Sequence, residues 1–338
     1  MYASRFSRGE GVGSVTVMPA PSAPDSTQDT VQAAVAAAMR LTADVILLEL
    51  QVPSGASSYL FEPGAHVDIH IPRLGIRQYS LLPSESPRLR IAVKLETDGK
   101  GGSKYLHTLR PGDKVTVGGP RNHFRFVASA PHSVFIAGGI GITPIIGMIE
   151  ECVRSGLSWE LHFRARSRRT AAFCSELENY GAAATCSFSD EGHRGSRGIV
   201  DIVAAAPAGA HFYCCGPERM IAEFESVTGR LDPGRVHVER FSANTEAASY
   251  GGYTVEFRRS GKTAAVQPGE TILEAALRVG IDVSHSCSEG VCGACETRVL
   301  EGSPDHKDAV LSPQDKASGR LVMICCSGSL TDKLVLDL

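Results

Sequence analysis

Four cysteines carry the clearest chemistry in this chain. Cys287, Cys292 and Cys295 stand in a C-x4-C-x2-C run, and 29 residues separate Cys295 from Cys325. That is the plant-type spacing for a [2Fe–2S] cluster. Two irons bridged by sulfide need four converging thiolates. One loop supplies three of them, and a distant segment closes the site. Gly290 and Gly293 suit such a loop, because without a Cβ they let backbone N–H groups approach the cluster sulfurs. On this spacing the fourth ligand is Cys325 rather than its neighbour Cys326. Two other chemistries compete. Cys292-Gly-Ala-Cys295 alone fits a thioredoxin-like redox pair, and four cysteines can hold zinc. The first leaves Cys287 unused. Zinc sites usually show two C-x2-C pairs, whereas Cys325 and Cys326 are adjacent.

Upstream motifs suggest where electrons for such a cluster originate. Arg77-Gln78-Tyr79-Ser80 suits a flavin: the tyrosine ring can pack on the isoalloxazine, the serine can hydrogen-bond near N5, and the arginine can pair with a phosphate. About twenty residues on, Lys100-Gly101-Gly102-Ser103 precedes an expected helix over 104–109, and amides at that helix start make an anion site with Lys100 and Ser103. Taken singly, the first motif also fits a structural strand and the second a surface turn. Gly138-Gly139-Ile-Gly141-Ile-Thr143-Pro144 leaves a strand and enters a helix, so it can approach a pyrophosphate. Cys214-Cys215-Gly216-Pro217 ends a later strand of the same sheet, and ligands of open α/β sheets bind at the carboxyl ends of strands. Cys215 could face a nicotinamide or be a buried structural thiol. Arg164, Ser167, Arg168 and Arg169 are either a solvated turn or the contact for the adenine-ribose end of a dinucleotide.

Three sets of elements must position these groups. Short strands with Pro/Gly turns over residues 31–130 imply a small antiparallel barrel. The alanine run 31–40 is helical by propensity but is read as the barrel's first strand. Arg77–Ser80 is placed at a strand end. From Ser133 strands alternate with helices, giving a parallel nucleotide-binding sheet over 131–242; its helices are read at 145–154, 171–180, 200–206 and 218–228. Its last segment ends at Phe241, which is counted among the cofactor-binding residues. A polar linker, 243–250, leads to a hairpin, a helix and the cysteine loop over 251–338, a β-grasp plan. Residues 1–30, rich in Ser, Pro, Gly and Ala, read as a disordered tail.

Composition narrows the class. At 338 residues the chain is long enough for two or three domains, with 43% hydrophobic and 21% charged residues. A net charge of −3 gives no sign of a nucleic-acid partner. Apolar runs are too short to span a bilayer, and the start shows no secretory signal. The remaining cysteines are read as free thiols in a reducing cytoplasm, and the chain as a monomer.

With all three modules in this order, residues 31–338 resemble the reductase components of Rieske-type oxygenases, in the phthalate dioxygenase reductase and vanillate O-demethylase reductase family. Arg77–Ser80, Ala92-Val93-Lys94, Lys100–Ser103, Pro120-Arg-Asn-His-Phe124, Gly138–Pro144, Cys215–Pro217, the four cysteines and Gly302–Asp308 carry the resemblance. The tail and Arg125 depart from it. The resemblance implies a multidomain fold: an antiparallel β-barrel flavin domain, an α/β nucleotide-binding domain of ferredoxin reductase type and a β-grasp [2Fe–2S] ferredoxin domain. It implies FMN rather than FAD, and NADH is favoured over NADPH without excluding it. Electrons would pass from NAD(P)H through FMN and the cluster to a terminal oxygenase. Ser80, Thr143 and Cys215 would stand at the hydride-transfer junction, Thr143 bridging the two sites. Other acceptors stay open: a quaternary-amine monooxygenase, a P450 or a free ferredoxin. So does a non-catalytic carrier, against which the dinucleotide motifs speak. Asp282, Glu289, Glu301 and Asp305 are either a partner-recognition surface or ordinary solvated charges.

Overall fold

The computed structural model describes residues 30–53, 62–84, 88–192, 196–242 and 247–338. Nearly all of the expected tail, and residues 243–246 of the expected linker, lie outside the described residues.

Six antiparallel strands close into a barrel in the order β1-β2-β5-β4-β3-β6: β1 (Thr30–Arg40), β2 (Val45–Gln51), β3 (His66–Ile71), β4 (Gly75–Leu82), β5 (Arg88–Lys94) and β6 (Lys114–Arg121). The alanine-rich β1 is a strand despite its helix propensity. It pairs with β2 along one edge and with β6 along the other, so both of its hydrogen-bonding edges are used. Ala33 and Val35 point into the barrel core with Leu48, Val67, Ile69 and Ile91. Here tertiary pairing overrides a weak local preference. Arg77–Ser80 lies in the middle of β4, not at a strand end, paired across to β3. A short helix, α1 (Gly102–Leu106), follows the glycine turn.

The second unit is a parallel sheet in the order β11-β10-β7-β8-β9, made of β7 (Ser133–Gly138), β8 (Trp159–Ala165), β9 (Ala184–Phe188), β10 (His211–Cys215) and β11 (Val236–Glu239). Helices α2 (Thr143–Ser155), α3 (Cys174–Glu178), α4 (Ile199–Ala205) and α5 (Glu218–Thr228) connect its strands. The helix expected over 171–180 shrinks to α3 because Phe173, at φ 66°, breaks it at the start and a tight turn at Gly181–Ala183 follows. Apolar side chains cover both sheet faces, among them Phe135 and Phe163 on one and Phe212 and Phe224 on the other.

The C-terminal unit holds β12 (Tyr253–Phe257), β13 (Lys262–Val266), α6 (Ile272–Arg278), β14 (Glu296–Glu301), β15 (Pro304–Asp305), α7 (Pro313–Ser318), β16 (Leu321–Met323), β17 (Gly328–Ser329) and β18 (Lys333–Leu336). Its sheet runs β13-β12-β18-β14-β16. Thr271 and Glu274 form a capping box at the start of α6, and α6 packs Ile272 and Ala276 onto the sheet. No described helix is long and apolar enough to cross a membrane.

Candidate functional site

The sheet register explains how distant cysteines meet. Glu296 of β14 stands opposite Met323 of β16, so Cys295 just before β14 comes beside Cys325 just after β16. The Cys295 thiol is held well above the ordinary thiol range, first by its hydrogen bond with Cys325 and then by burial. Cys292 is shifted the same way, first by Cys287. Thiols this crowded need cationic charge to ionise together, and irons supply it. Among the described residues, the one group of three or more ligand atoms within 4.8 Å of one another is Cys174, Glu178 and Cys186. Cys287, Cys292, Cys295 and Cys325 instead associate in two pairs, Cys287 with Cys292 and Cys295 with Cys325, an arrangement that suits two irons. Backbone N–H groups of Cys287 and Glu289 donate to Cys292 Sγ (3.5 Å) and Cys287 Sγ (3.3 Å), a setting that suits cluster thiolates. The Cys326 thiol packs against Gly290 and contacts the Met323 carbonyl at 3.7 Å.

The cluster loop leans on the barrel. Arg121 Nη2 pairs with Asp68 Oδ1 at 2.7 Å, and Arg121 Nε donates to the Cys292 carbonyl at 3.0 Å. Gln78 Nε2 donates to Asp68 Oδ1 (2.7 Å) and to Ser286 Oγ (2.8 Å). Lys100 pairs with Glu289. Gly293 has φ 71°, and a Cβ there would lie 2.1 Å from His123 Nε2. Its missing side chain thus makes room for the barrel as well as shaping the turn. Burial pushes His123 down to about 4, and it lowers His66 too, with Arg121 adding to both shifts. Both imidazoles are neutral near pH 7, so Arg121 is not crowded by further positive charge.

A cleft opens where the three units meet. Tyr79 and Ser80 of β4, Glu239 and Phe241 from the end of the parallel-sheet unit, and Cys287 and Val291 of the cluster loop share its walls. The Ser80 hydroxyl is buried without a hydrogen-bond partner. Phe241, a large aromatic, leaves 49% of its surface exposed. Burial pushes Tyr79 up to about 12. Two aromatic rings and an orphaned hydroxyl fit a flat, conjugated, hydrogen-bonding ring system such as a flavin. At one end Gly102 packs directly on the Arg77 side chain, which joins the two motifs read as a phosphate site. Arg77 Nη1 donates to the Ile76 carbonyl, and Lys100 already has Glu289 as partner. Ser103 Oγ accepts from Glu96 N–H at 3.0 Å, and Lys94 pairs with Glu96. Ala92 and Val93 are buried in β5.

The glycine loop and the Cys-Gly-Pro loop touch at the carboxyl ends of β7 and β10, where Ala137 is paired with Cys215. A Cβ on Gly141 would lie 2.4 Å from the Cys215 carbonyl oxygen, and one on Gly138 2.5 Å from Pro217 Cδ. Gly139 stands at φ 54°, and Pro144 opens α2 next to Thr143. Thr143 is 3% exposed and donates its hydroxyl to the Ile140 carbonyl at 2.8 Å. Cys215 is 1% exposed and sits in the apolar cluster, its thiol pushed far up by burial. Both are thus placed beside the dinucleotide loops with side chains turned to the protein. Of the groups expected at the ribose end, Arg164 donates to the Arg197 carbonyl (2.6 Å), Ser167 Oγ meets Thr170 Oγ1 (3.0 Å) and Arg168 pairs with Glu178 (2.6 Å). Of the four acids weighed as a recognition surface, Glu289, Glu301 and Asp305 are paired within the chain, with Lys100, Arg258 and Lys307.

Residues that sequence reasoning missed lie at the junction. Glu239 is half-buried, its Oε2 is enclosed without a partner, and desolvation alone pushes its carboxyl up to about 8. His66, Asp68 and Arg121 join barrel to cluster loop. A signal existed for two of these: His66 and Asp68 stand two apart on β3, so they share a face, and a buried face with two polar groups demands partners.

Comparison with known proteins places three domain families along the chain: the oxidoreductase FAD-binding domain on residues 32–126, the oxidoreductase NAD-binding domain on 135–226 and the 2Fe-2S iron-sulfur cluster binding domain on 255–328. The chain is 51% identical over 298 residues to phenoxybenzoate dioxygenase subunit beta of Ectopseudomonas oleovorans, covering 87% of this chain and 93% of the relative. It is 41% identical to tetrachlorobenzoquinone reductase of Sphingobium chlorophenolicum, over 91% and 98% of the two chains. The solved structure of phthalate dioxygenase reductase, described as a modular structure for electron transfer from pyridine nucleotides to [2Fe-2S], superposes with a TM-score of 0.65 at 32% identity, covering 91% of this chain and 98% of that one.

Proposed function

Because the chain belongs to the phthalate dioxygenase reductase family of flavin and iron–sulfur oxidoreductases, we propose that it is the NAD(P)H-dependent reductase component of an aromatic-ring oxygenase. Its partner is a separate oxygenase that takes single electrons. One observation carries the reading: β4, the end of the parallel-sheet unit and the cluster loop all line a single cleft, so the three redox stations share walls.

FMN, when bound, supplies the exchange between a two-electron hydride donor and a one-electron cluster. The chain's own groups make that exchange efficient. Arg77 and the amides of Gly101, Gly102 and Ser103 would neutralise the phosphate, joined by Lys100 once it leaves Glu289. Ala92 and Val93, packed in apolar clusters, would support a flavin through the β5 backbone beside Lys94, and Gln78 ties β4 to the cluster loop. Tyr79 and Phe241, which line the cleft, would cover the ring and exclude water. Ser80 Oγ, otherwise unpaired, would donate to the flavin. Gly138, Gly139, Gly141 and Pro144 leave room for the pyrophosphate, and Gly216 and Pro217 face them across the sheet ends. Thr143 and Cys215 set the nicotinamide end through their backbones. Glu239 carries its proton near pH 7, because burial holds its carboxyl at about 8. It can then donate a hydrogen bond to the nicotinamide amide without burying a charge. Arg168 is engaged by Glu178 and Arg164 by the Arg197 carbonyl, so neither guanidinium is free for a 2′-phosphate, which favours NADH. Cys287, Cys292, Cys295 and Cys325 would hold the irons beside the cleft.

Two variants test the reading. Arg77→Ala should lose flavin on purification and turnover with it. Cys292→Ser should keep NADH-to-ferricyanide activity and lose reduction of cytochrome c. Full flavin in the first, or joint loss of both activities in the second, contradicts it. A second reading, direct reduction of a quinone, is favoured by the likeness to tetrachlorobenzoquinone reductase. It expects Cys292→Ser to retain quinone reduction.

A further inference from the structure

We propose that Cys174, Glu178 and Cys186 form a site for a soft divalent metal ion of the zinc class, in which the Arg168 guanidinium is a resident cation that the metal replaces. Cys174 and Glu178 stand one helical turn apart on α3, so they share a face. Cys186 faces them from β9. The ligand atoms of all three lie within 4.8 Å of one another. Two thiolates and a carboxylate are donors that zinc and cadmium take, with water completing a tetrahedron.

The pocket is already arranged around positive charge. Arg168 Nη1 lies 2.6 Å from Glu178 Oε1 and 3.7 Å from Cys174 Sγ. Its guanidinium carbon also stands 4.8 Å over the Phe188 ring. Exposure favours exchange: Cys174 is buried, whereas the Arg168 and Glu178 side chains are 54% and 40% exposed. An incoming ion reaches the thiols from the Glu178 side as Arg168 swings out. The balance is simple. One divalent ion binds, two thiols release two protons to solvent as they become thiolates, and the Glu178 carboxylate exchanges its arginine for the metal. Arg168 is then freed on the loop after β8. The consequence for dinucleotide choice, a better fit to a 2′-phosphate, rests on the function proposed above. The metal site itself does not.

The test uses the full-length protein loaded with flavin and cluster, in a non-thiol reductant, titrated with cadmium. The readout is the ultraviolet thiolate-to-cadmium charge-transfer band, with visible cluster absorbance confirming that the cluster survives. One equivalent should bind with the band of two thiolates, and the band should vanish in Cys174→Ser/Cys186→Ser. Arg168→Gln should bind cadmium more tightly, by up to about fivefold, since an exposed ion pair no longer competes. A band that persists in the double variant overturns the site, as does a wild-type protein that gives no band. Unchanged affinity in Arg168→Gln overturns the competition. NADPH and NADH affinities compared with and without cadmium then test the coupling separately; no change in their ratio refutes the coupling alone.

Discussion

Arg121 is the residue on which the joint between barrel and cluster loop turns. Its guanidinium pairs with Asp68, a side chain with no solvent exposure, while its Nε holds the carbonyl of Cys292. Arg121→Met leaves the Asp68 carboxylate buried without its counter-charge and with the Gln78 amide as its remaining donor. Breaking one side of a buried pair costs about 3–5 kcal/mol, a large share of a domain's total stability of about 5–15 kcal/mol. Arg121→Met/Asp68→Asn should recover most of this, because no bare charge remains. Arg121→Lys should fall between, since one ammonium cannot fork to two acceptors in fixed geometry. The measurement is urea unfolding followed by the visible circular dichroism of the cluster, beside the ratio of cytochrome c to ferricyanide reduction. Arg121→Met should lower the midpoint and the ratio together, and the double variant should restore the midpoint but not the ratio, because the Cys292 carbonyl still lacks its donor. Single and double variants that unfold alike, with an unchanged ratio, would refute the reasoning.

Other expectations follow from single contacts. Cys325→Ser should abolish the visible iron–sulfur spectrum, whereas Cys326→Ser should keep it, because the Cys326 thiol faces the Met323 carbonyl. Gly141→Ala would press a methyl group against the Cys215 carbonyl; overpacking of about 1–3 kcal/mol should lower kcat/KM for NADH roughly five- to hundredfold, with flavin content unchanged. Glu239 gives a pH signature. Its folded pKa, about 8, lies above its ordinary value of 4.5, so between those values the folded chain holds a proton that the unfolded chain releases. Its contribution to stability is full below about pH 4.5 and is lost as pH rises toward 8, at up to about 1.4 kcal/mol per unit. Glu239→Gln should therefore unfold with a flatter pH dependence across that window, measured by thermal midpoints; parallel curves would rule the assignment out.

The sequence was informative where chemistry constrains spacing and period. Four cysteines announced a cluster, and the register of β14 on β16 brings Cys325 beside Cys295. Alternation of short strands announced the barrel, and strand–helix alternation the parallel sheet. What stayed hidden depends on contacts between distant segments. The last five strands and α7 are short, two to six residues each, too brief for a periodic pattern to register. Glu239 looks like an ordinary strand acid until the fold encloses its carboxyl. Gln78, read as a flavin contact, turns its amide to Ser286, 208 positions away. Thr143 and Cys215, read as groups facing the reaction, point their side chains into the protein because the two loops pack backbone to backbone. Arg168 could not be told from a free cation until α3 set Glu178 beside it.

The central claim is that reducing equivalents from the dinucleotide leave through Cys287, Cys292, Cys295 and Cys325. An anaerobic titration of the loaded protein with NADH, followed by low-temperature electron paramagnetic resonance, tests it most directly. Flavin bleaching with the signal of a reduced [2Fe–2S] cluster is expected in the wild type, and bleaching without that signal in Cys292→Ser. A wild-type protein whose flavin bleaches while its cluster stays oxidised would contradict it.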